Sequence, residues 1–270
     1  MSNLDLYLLT FLLYGALAVF FWRAQMRGEG EALNRSLIGH LVLVPLLTQG
    51  YLLSHSLRML GEFNFGLANA VSLILWLTML VYWLARFFYP ICSLQTLVLP
   101  LAAVGVMLPA LFPALHPLDY TVTLAFEAHI AAAMLAYSLL TIAVLHAVII
   151  SSVEKRLHHG SLPALLRNLP PLLVMESLLF RIIGIGFVVL TFTLASGMMF
   201  SEQVFGKPWE FSHKTVFGLL SWAVFAILLV GHHVYGWRGR TAVRWTVGGF
   251  ASLLLAYIGT QFVLQILLHR

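Results

Sequence analysis

The sequence contains few charged residues and a single cysteine. Only 9% of its 270 residues are Asp, Glu, Lys or Arg, whereas 61% are hydrophobic. In soluble domains roughly a quarter of the residues are charged, so this composition excludes an ordinary soluble domain and predicts a polytopic integral membrane protein. Cys92 alone cannot form an internal disulfide, a dithiol redox pair or a Cys-x-x-Cys metal site, so any thiol chemistry requires a partner.

Signatures of soluble catalytic chemistry are also missing. The sequence has no H-E-x-x-H motif and no glycine-rich phosphate loop. The adjacent pairs His158–His159 and His232–His233 do not place two imidazoles on one helix face. Glu127 is the one acid well inside a predicted span, whereas ion coupling requires intramembrane charged networks. We therefore predict that the protein is not an enzyme, and the sequence does not favour a transporter or channel.

Long apolar runs follow one another along the whole chain. A helix needs roughly 20 apolar residues to cross a bilayer core, and these runs are continuous rather than alternating as in barrel strands. The sequence predicts an all-α protein with a single transmembrane domain over 1–270, a bundle of about eight helices. The predicted spans are 5–22, 36–57, 65–85, 91–113, 120–152, 182–201, 214–235 and 243–268.

The distribution of Lys and Arg predicts how the chain is oriented. Eleven of these residues fall in the first, third, fifth and seventh links between predicted spans or within two residues of them, and four fall on the other side. By the positive-inside rule the richer side is cytoplasmic, which places both termini and Phe205–His213 outside the cytoplasm. The net charge of +5 follows from this bias and requires no nucleic-acid partner.

The longest predicted link, 153–181, is interrupted by Pro163, Pro170 and Pro171. Its last part, 172–181, is mainly apolar, with one Glu and one Arg on its polar side. This pattern predicts a cytoplasmic amphipathic helix on the membrane surface. Two functions stay open for the link: a connector docked on the helix bundle, or a binding site for a partner.

Aromatic residues are concentrated between the sixth and seventh predicted spans. Phe205, Trp209, Phe211 and Phe217 recur at near-regular spacing in a polar segment that runs into an apolar helix. Flat π surfaces where lipid meets water can hold a planar amphipathic ligand such as haem. Aromatic side chains are also ordinary membrane anchors at this depth, so the spacing alone leaves both functions open.

Histidines carry much of the chemical information, because ligating side chains inside a membrane tend to mark function. His129 and His146 lie 17 residues apart in one predicted helix, about 25 Å, so they cannot ligate the same iron. Alanines follow His129, and small residues permit close approach of another helix or of a flat macrocycle. The predicted orientation places His55, His129 and His213 toward the outer side, and His40, His146 and His232 toward the inner side.

Three blocks of the sequence resemble one family. They are AHIAAAMLAYSLL around His129, LPPLLVMESLLFR before the sixth predicted span, and SWAVFAILLVGHHVYGWRGR, whose GWRGR is rather specific. From roughly Asn64 to its C-terminus, the chain resembles the CcsA/CcmC/HemX group of membrane proteins for cytochrome c assembly and haem handling. It is most similar to the short eight-helix branch of YpjD-like or HemX-like proteins.

The resemblance gives Phe205–Trp222 a second meaning. This segment aligns without a gap with the tryptophan-rich haem-handling motif of the family, although phenylalanine replaces three tryptophans and the acidic positions are lost. His129 matches the first outer histidine of the family, the second has no match, and Gln49 stands where many relatives have a histidine. The matching motif positions are Gly206, Trp209, Lys214, Leu219 and Trp222.

The resemblance implies a haem-handling inner-membrane protein that is an accessory to cytochrome c biogenesis. Haem b would lie near the outer leaflet with its iron ligated by His129, and His55 or His213 would be a further ligand. The face of the porphyrin would lie against Trp209 and Phe211. The cations expected to face the propionates are Arg58, Lys207 and Lys214.

Two further possibilities follow from the same resemblance. His232 aligns with a position that is histidine in some relatives, so it is a candidate cofactor-binding residue, or else an interfacial side chain. With His40 and His146 it leaves open a second, inner site. A function of a different class is a membrane-anchored interaction protein that regulates haem biosynthesis or another partner without a bound cofactor. Its contact surfaces would be 153–181 and GWRGR at 236–240.

Overall fold

The computed structural model of the chain is built from helices. It describes residues 3–35, 37–57, 65–89, 92–113, 123–158, 171–199 and 213–259. Within these ranges the regular elements are α-helices with short 3-10 and π segments, and they include no strand. The predicted all-α class is therefore confirmed.

The helices follow the apolar runs. The second run begins as a 3-10 helix, Leu37–Val42, and continues as an α-helix. Pro45 has no N–H, so it cannot donate the α-helical hydrogen bond to the carbonyl four residues before it. The last run ends its described part in a π-helical segment, Leu255–Gly259. The α-helices are α1 (Asn3–Arg27), α2 (Gly30–Arg35), α3 (Leu43–Leu57), α4 (Leu67–Ala85), α5 (Cys92–Leu111), α6 (Leu124–His158), α7 (Leu172–Met199), α8 (His213–Tyr235) and α9 (Gly239–Leu254).

The described helices are those of a multi-pass membrane protein. Six of them, α1, α4, α5, α6, α7 and α8, are long and apolar enough to cross a membrane. The remaining two predicted spans are helical as well, since α3 continues the 3-10 segment and α9 continues into the π segment. The described part of each of the eight apolar runs is therefore mainly helical.

Packing divides the chain into two compact units. Unit 1 consists of Met1–Leu118 and Ser152–Pro171, and unit 2 consists of Asp119–Ser151 and Leu172–Arg270. In unit 1, α1 packs against α3 and α5, and α4 packs against the same two helices. These four helices enclose a buried polar contact.

Gln49 forms that contact and joins three helices of unit 1. Its Oε1 accepts a 2.9 Å hydrogen bond from the hydroxyl of Tyr14, and its Nε2 lies 3.3 Å from Oγ of Ser72. Gln49 and Tyr14 are fully buried, so neither can exchange this partner for water. Gln49 thus links α1, α3 and α4.

Replacing Gln49 by leucine is expected to destabilise unit 1. The substitution keeps the approximate volume but leaves the Tyr14 hydroxyl without its acceptor, at a cost of about 1 kcal/mol, which is typical of hydrogen bonds between membrane helices. Unfolding of the purified protein by a denaturing detergent would measure the change. Ser54→Ala, on an exposed part of the same helix, is the control, and equal unfolding midpoints for the two variants would contradict the expectation.

Unit 2 contains most of α6 together with α7, α8 and α9. In it α7 packs on α8, and α8 packs on α9. Tyr137 of α6 donates a 2.6 Å hydrogen bond to the carbonyl of Leu253 at the end of α9. The close approach of α6 and α7 depends on Gly186, where a Cβ would lie 2.9 Å from Leu140. Small residues therefore set the spacing of these two helices.

One helix boundary in the structure differs from the predicted one. Residues 172–181, predicted as a separate surface helix, form the first turns of α7, which runs unbroken from Leu172 to Met199. Glu176 was predicted to face the membrane surface. In the structure it is buried within unit 2, where its carboxylate accepts a hydrogen bond. α6 likewise extends to His158, beyond its predicted end. Residues 159–170 of the link lie outside the described ranges, and the cytoplasmic location stays a prediction.

Candidate functional site

His129 lies at one end of unit 2, where α6 begins and α7 ends. Its Nδ1 is 2.9 Å from Oγ of Ser196, and its ring is half-buried. His129 stands within two turns of the start of α6, and Ser196 within one turn of the end of α7. The contact therefore brings together two residues that are 67 positions apart in the sequence.

Ser196 contacts both His129 and Thr193 through its hydroxyl. Its Oγ lies 3.0 Å from the carbonyl oxygen of Thr193, to which it can donate. If the single hydroxyl hydrogen is used in this bond, the oxygen accepts the other bond from Nδ1–H of His129. That tautomer leaves the lone pair on Nε2. This is the arrangement in which an imidazole binds a metal through one nitrogen while a partner holds the other.

A glycine lies beside this imidazole. A Cβ at Gly197 would lie 3.1 Å from Cε1 of His129, so glycine allows the α7 backbone to approach the ring edge. On α6 the next turn contains Ala131, Ala132 and Ala133. In the described ranges no three or more His, Cys, Asp or Glu side chains form a metal cluster. A haem iron needs one or two protein ligands instead, so a single oriented histidine fits it.

Three other residues of the predicted motif lie at α8 in the same unit. His213 is the first residue of α8 and is exposed, and Nζ of Lys214 lies 5.9 Å from the ring centroid of Tyr257. Trp222 donates from Nε1 to Oγ1 of Thr191 at 2.8 Å, so it joins α8 to α7. Trp209, Phe211, Arg58 and Lys207 lie outside the described residues, and their roles stay predictions.

His55 and His40 belong to unit 1. His55 is exposed in the last turn of α3, and its assignment as a further ligand stays a prediction. The ring of His40 packs beside Trp83 and Phe87, with centroid distances of 6.0 and 5.8 Å.

The opposite end of unit 2 holds His146 and His232. Nε2 of His146 lies 2.9 Å from the carbonyl oxygen of Met175, and the ring of His232 stacks on Phe180 with centroids 3.5 Å apart. Met175 and Phe180 are in the first turns of α7, whereas Ser196 is in the last. Sixteen residues of helix separate Phe180 from Ser196, about 24 Å. His232 and His146 therefore do not share the site of His129.

GWRGR forms a tight turn between α8 and α9. Gly236 and Gly239 have φ angles of 66° and 54°, in the left-handed region that favours glycine. Gly236 N–H donates to the carbonyl of His232 at 3.1 Å and ends α8. Glu176 accepts a 2.8 Å hydrogen bond from Gly239 N–H at the start of α9. Two of the blocks that carry the family resemblance thus meet through Glu176 and Phe180 of α7.

Sequence reasoning missed Ser196, Gly197 and Glu176. The sequence offers a signal for Ser196 and Gly197. Small residues such as a Ser-Gly pair in an apolar helix leave room for a side chain of a neighbouring helix. Glu176 offers another signal, because an acid among leucines close to a membrane span requires a partner. Neither signal identifies which residue is the partner.

Comparison with known proteins finds one family and several relatives. The sequence profile of the family described as Cytochrome C assembly protein matches residues 37–268. The inner membrane protein YpjD of Escherichia coli K12 is 36% identical over 139 residues, 52% of each chain. An uncharacterized 28.8 kDa protein of Azospirillum brasilense is 33% identical over 142 residues, 53% of this chain and 52% of that protein.

A more distant similarity extends to larger proteins. The cytochrome c biogenesis protein CcsA of Gloeobacter violaceus is 30% identical over 91 residues, 34% of this chain and 27% of that protein. The chain thus aligns with about half the length of the shorter curated relatives and about a quarter of this longer one. No solved structure matches the chain significantly.

Proposed function

Because the chain belongs to the cytochrome c assembly protein family, we propose that it is a haem-handling membrane protein, accessory to cytochrome c biogenesis. Its proposed location is the bacterial inner membrane, with both termini on the outer side. The ligand is haem b, and the protein binds it without catalysing a reaction. Other maturation or haem-biosynthesis proteins are the expected partners.

The observation that carries the proposal is the pair formed by His129 and Ser196. A histidine in the interior of a membrane protein is costly, and one whose Nδ1–H is held by a hydroxyl presents Nε2 in the form that binds iron. Gly197 lets the α7 backbone approach the edge of the ring. When bound, haem supplies an iron centre that can accept an axial nitrogen ligand.

The sequence around the site supports the same ligand. Ser196 is three residues from the end of α7, and the aromatic segment with Trp209 and Phe211 follows α7 directly in the chain. Aromatic rings suit a porphyrin face, and Lys207 and Lys214 suit its propionates. His213 begins α8, just after this segment, and is proposed as the further ligand.

The proposal is tested by the absorption spectrum of the protein purified from haem-replete cells. A Soret band that responds to reduction is expected, since bound haem absorbs differently in its two oxidation states. The same membrane preparation from cells without the protein is the control. Purified protein without a Soret band, even after haem is added, would contradict the proposed function.

Replacing Ser196 by alanine is expected to weaken haem binding without removing the ligand. The change removes the acceptor of the His129 Nδ1–H bond, and loss of such a partner typically lowers affinity roughly tenfold or more. The midpoint potential should change as well, because the imidazole becomes a different donor. Haem titration and potentiometry measure both effects. Ser196→Thr keeps the hydroxyl and should restore both values; an alanine variant with unchanged potential would contradict this role.

A second candidate function is regulation of a partner through the α8–α9 turn. The observation in its favour is an exposed, well-defined surface, since Tyr235 is 73% exposed beside exposed Arg238 and Arg240. A photo-crosslinker at Tyr235 tests it in intact cells, with a crosslinker at the exposed Leu124 of α6 as control. Capture of one soluble enzyme by protein without haem would favour regulation, and capture of lipid alone would remove its support.

A further inference from the structure

Trp222 of α8 contacts α7 at two points that are one helical turn apart. Its Nε1–H donates to Oγ1 of Thr191 at 2.8 Å, and its ring stacks on Phe187 with centroids 5.5 Å apart. Thr191 follows Phe187 by four residues, so both contacts lie on one face of α7. Together they fix the height and the rotation of α7 against α8.

The acceptor of this hydrogen bond is itself held in place. An indole N–H can only donate, so the oxygen of Thr191 is the acceptor. The Thr191 hydroxyl in turn donates to the carbonyl oxygen of Phe187 at 2.8 Å. Thr191 is exposed and Trp222 is half-buried, on helices where lipid offers no hydrogen bond in exchange. The indole therefore keeps Thr191 as its acceptor in the bilayer.

The α7 residue that contacts His129 lies a short distance beyond Thr191. Ser196 follows Thr191 by five residues, about 7.5 Å along the helix and about 140° around it. α8 thus holds α7 on the side of Thr191, and α7 presents Ser196 to α6 on a nearly opposite side. Gly218 allows close packing of α8 nearer to Ser196, since a Cβ there would lie 3.2 Å from Leu194.

A small rotation of α7 would disturb the contact between Ser196 and His129. A rotation of about 20° displaces an atom that is about 4 Å from the helix axis by about 1.4 Å. This displacement is enough to stretch or misalign a hydrogen bond of 2.9 Å. The close approach of α7 to α6 at Gly186 lies ten residues before Ser196, about 15 Å away. The contacts with α8 are much nearer to the site.

We propose that Trp222 is a positioning residue of the His129 site. By holding α7 through Thr191, it sets the register that places Ser196 against His129. The inference rests on the proposed function, because it gives a role at the haem site to a position that matches the family motif. In this role the indole supports the helix beside the ligand and does not contact the porphyrin.

The nitrogen NMR spectrum of the full-length protein with isotope-labelled histidine tests this role without haem. The resonance of His129 Nδ1 depends on its hydrogen bond, and His129→Ala identifies it. Trp222→Phe keeps the stacked ring but removes the donor, so the resonance should shift toward its position in Ser196→Ala. Thr191→Val should cause the same shift. Thr191→Ser keeps the hydroxyl and should restore the wild-type position.

Haem titration provides the second measurement. Trp222→Phe and Thr191→Val should each lower the affinity for haem roughly threefold, as expected for the loss of one neutral hydrogen bond. The double variant should lower it no further, because both changes remove the same bond. Trp245→Phe is the matched control, since it removes an indole N–H beside Trp237, at the opposite end of unit 2. It should change neither the resonance nor the affinity.

The positioning role is overturned if neither Trp222→Phe nor Thr191→Val moves the His129 resonance. It is also overturned if Trp222→Phe lowers the affinity for haem and Thr191→Val does not, because the indole would then act on the porphyrin directly. If Trp222→Phe does not fold, the resonance in Thr191→Val decides. A wild type that binds no haem, with the resonance shifted in both variants, would contradict the proposed function and support the positioning of His129.

Discussion

Replacing His129 by alanine is expected to reduce haem retention at least roughly tenfold, since loss of even an outer partner of a metal ligand has this effect. The variant loses the imidazole whose Nδ1 lies 2.9 Å from Oγ of Ser196. The spectrum after purification should show a Soret band reduced to the level of free haem. The ratio of Soret to protein absorbance measures the effect directly.

A second histidine of unit 2 provides the control for this experiment. His233 is exposed on α8, at the end of the unit opposite His129, so His233→Ala should retain haem like the wild type. Addition of free imidazole to His129→Ala should restore part of the band, because an exogenous ligand can occupy the vacated position. Equal bands in the two alanine variants would exclude His129 as the ligand.

Replacing Glu176 by alanine is expected to destabilise unit 2 by about 2 kcal/mol, the range of hydrogen bonds to charged groups. Its carboxylate is 7% exposed and accepts the Gly239 N–H bond at 2.8 Å. This N–H begins α9, where no partner within the helix is available, so its acceptor must come from elsewhere. Detergent unfolding of the purified variant measures the loss.

Glu176→Gln separates the hydrogen bond from the charge. The amide oxygen can still accept from Gly239, so this variant should recover about half of the lost stability, in line with a neutral hydrogen bond. Glu29→Ala, at an exposed position of unit 1, controls for removal of an acid as such. If all three variants unfold at the same midpoint, the carboxylate does not stabilise the start of α9.

Most of the fold could be predicted from apolar length alone. Continuous runs can bury their backbone polar groups in a bilayer only as helices, and the described part of each predicted run is mainly helical. The start of α7 could not be predicted in this way. Pro171 directly precedes α7, as the sequence indicates, but Glu176 gave 172–181 an amphipathic pattern. Only the distant Gly239 explains why an acid is stable in that position.

The sequence predicts the central residue of the candidate site, His129, but not the residues that contact it. His129 was identifiable because a histidine in an apolar run with neighbouring alanines needs an explanation. Ser196 was not, since its contact with His129 crosses 67 positions and depends on how α6 and α7 pack. For the same reason the role of Gln49 could not be predicted. Its buried contacts with Tyr14 and Ser72 join different helices, and no local sequence pattern indicates them.

The turn between α8 and α9 determines the rotational phase of the last helix. α9 buries one narrow stripe, and the two glycines with positive φ fix where that stripe begins. Inserting a single residue at 236–239 would rotate α9 by about 100° and turn the stripe toward lipid. This segment should therefore tolerate changes of its exposed side chains far better than any change of its length. The stripe consists of Ala242, Thr246, Gly249 and Leu253.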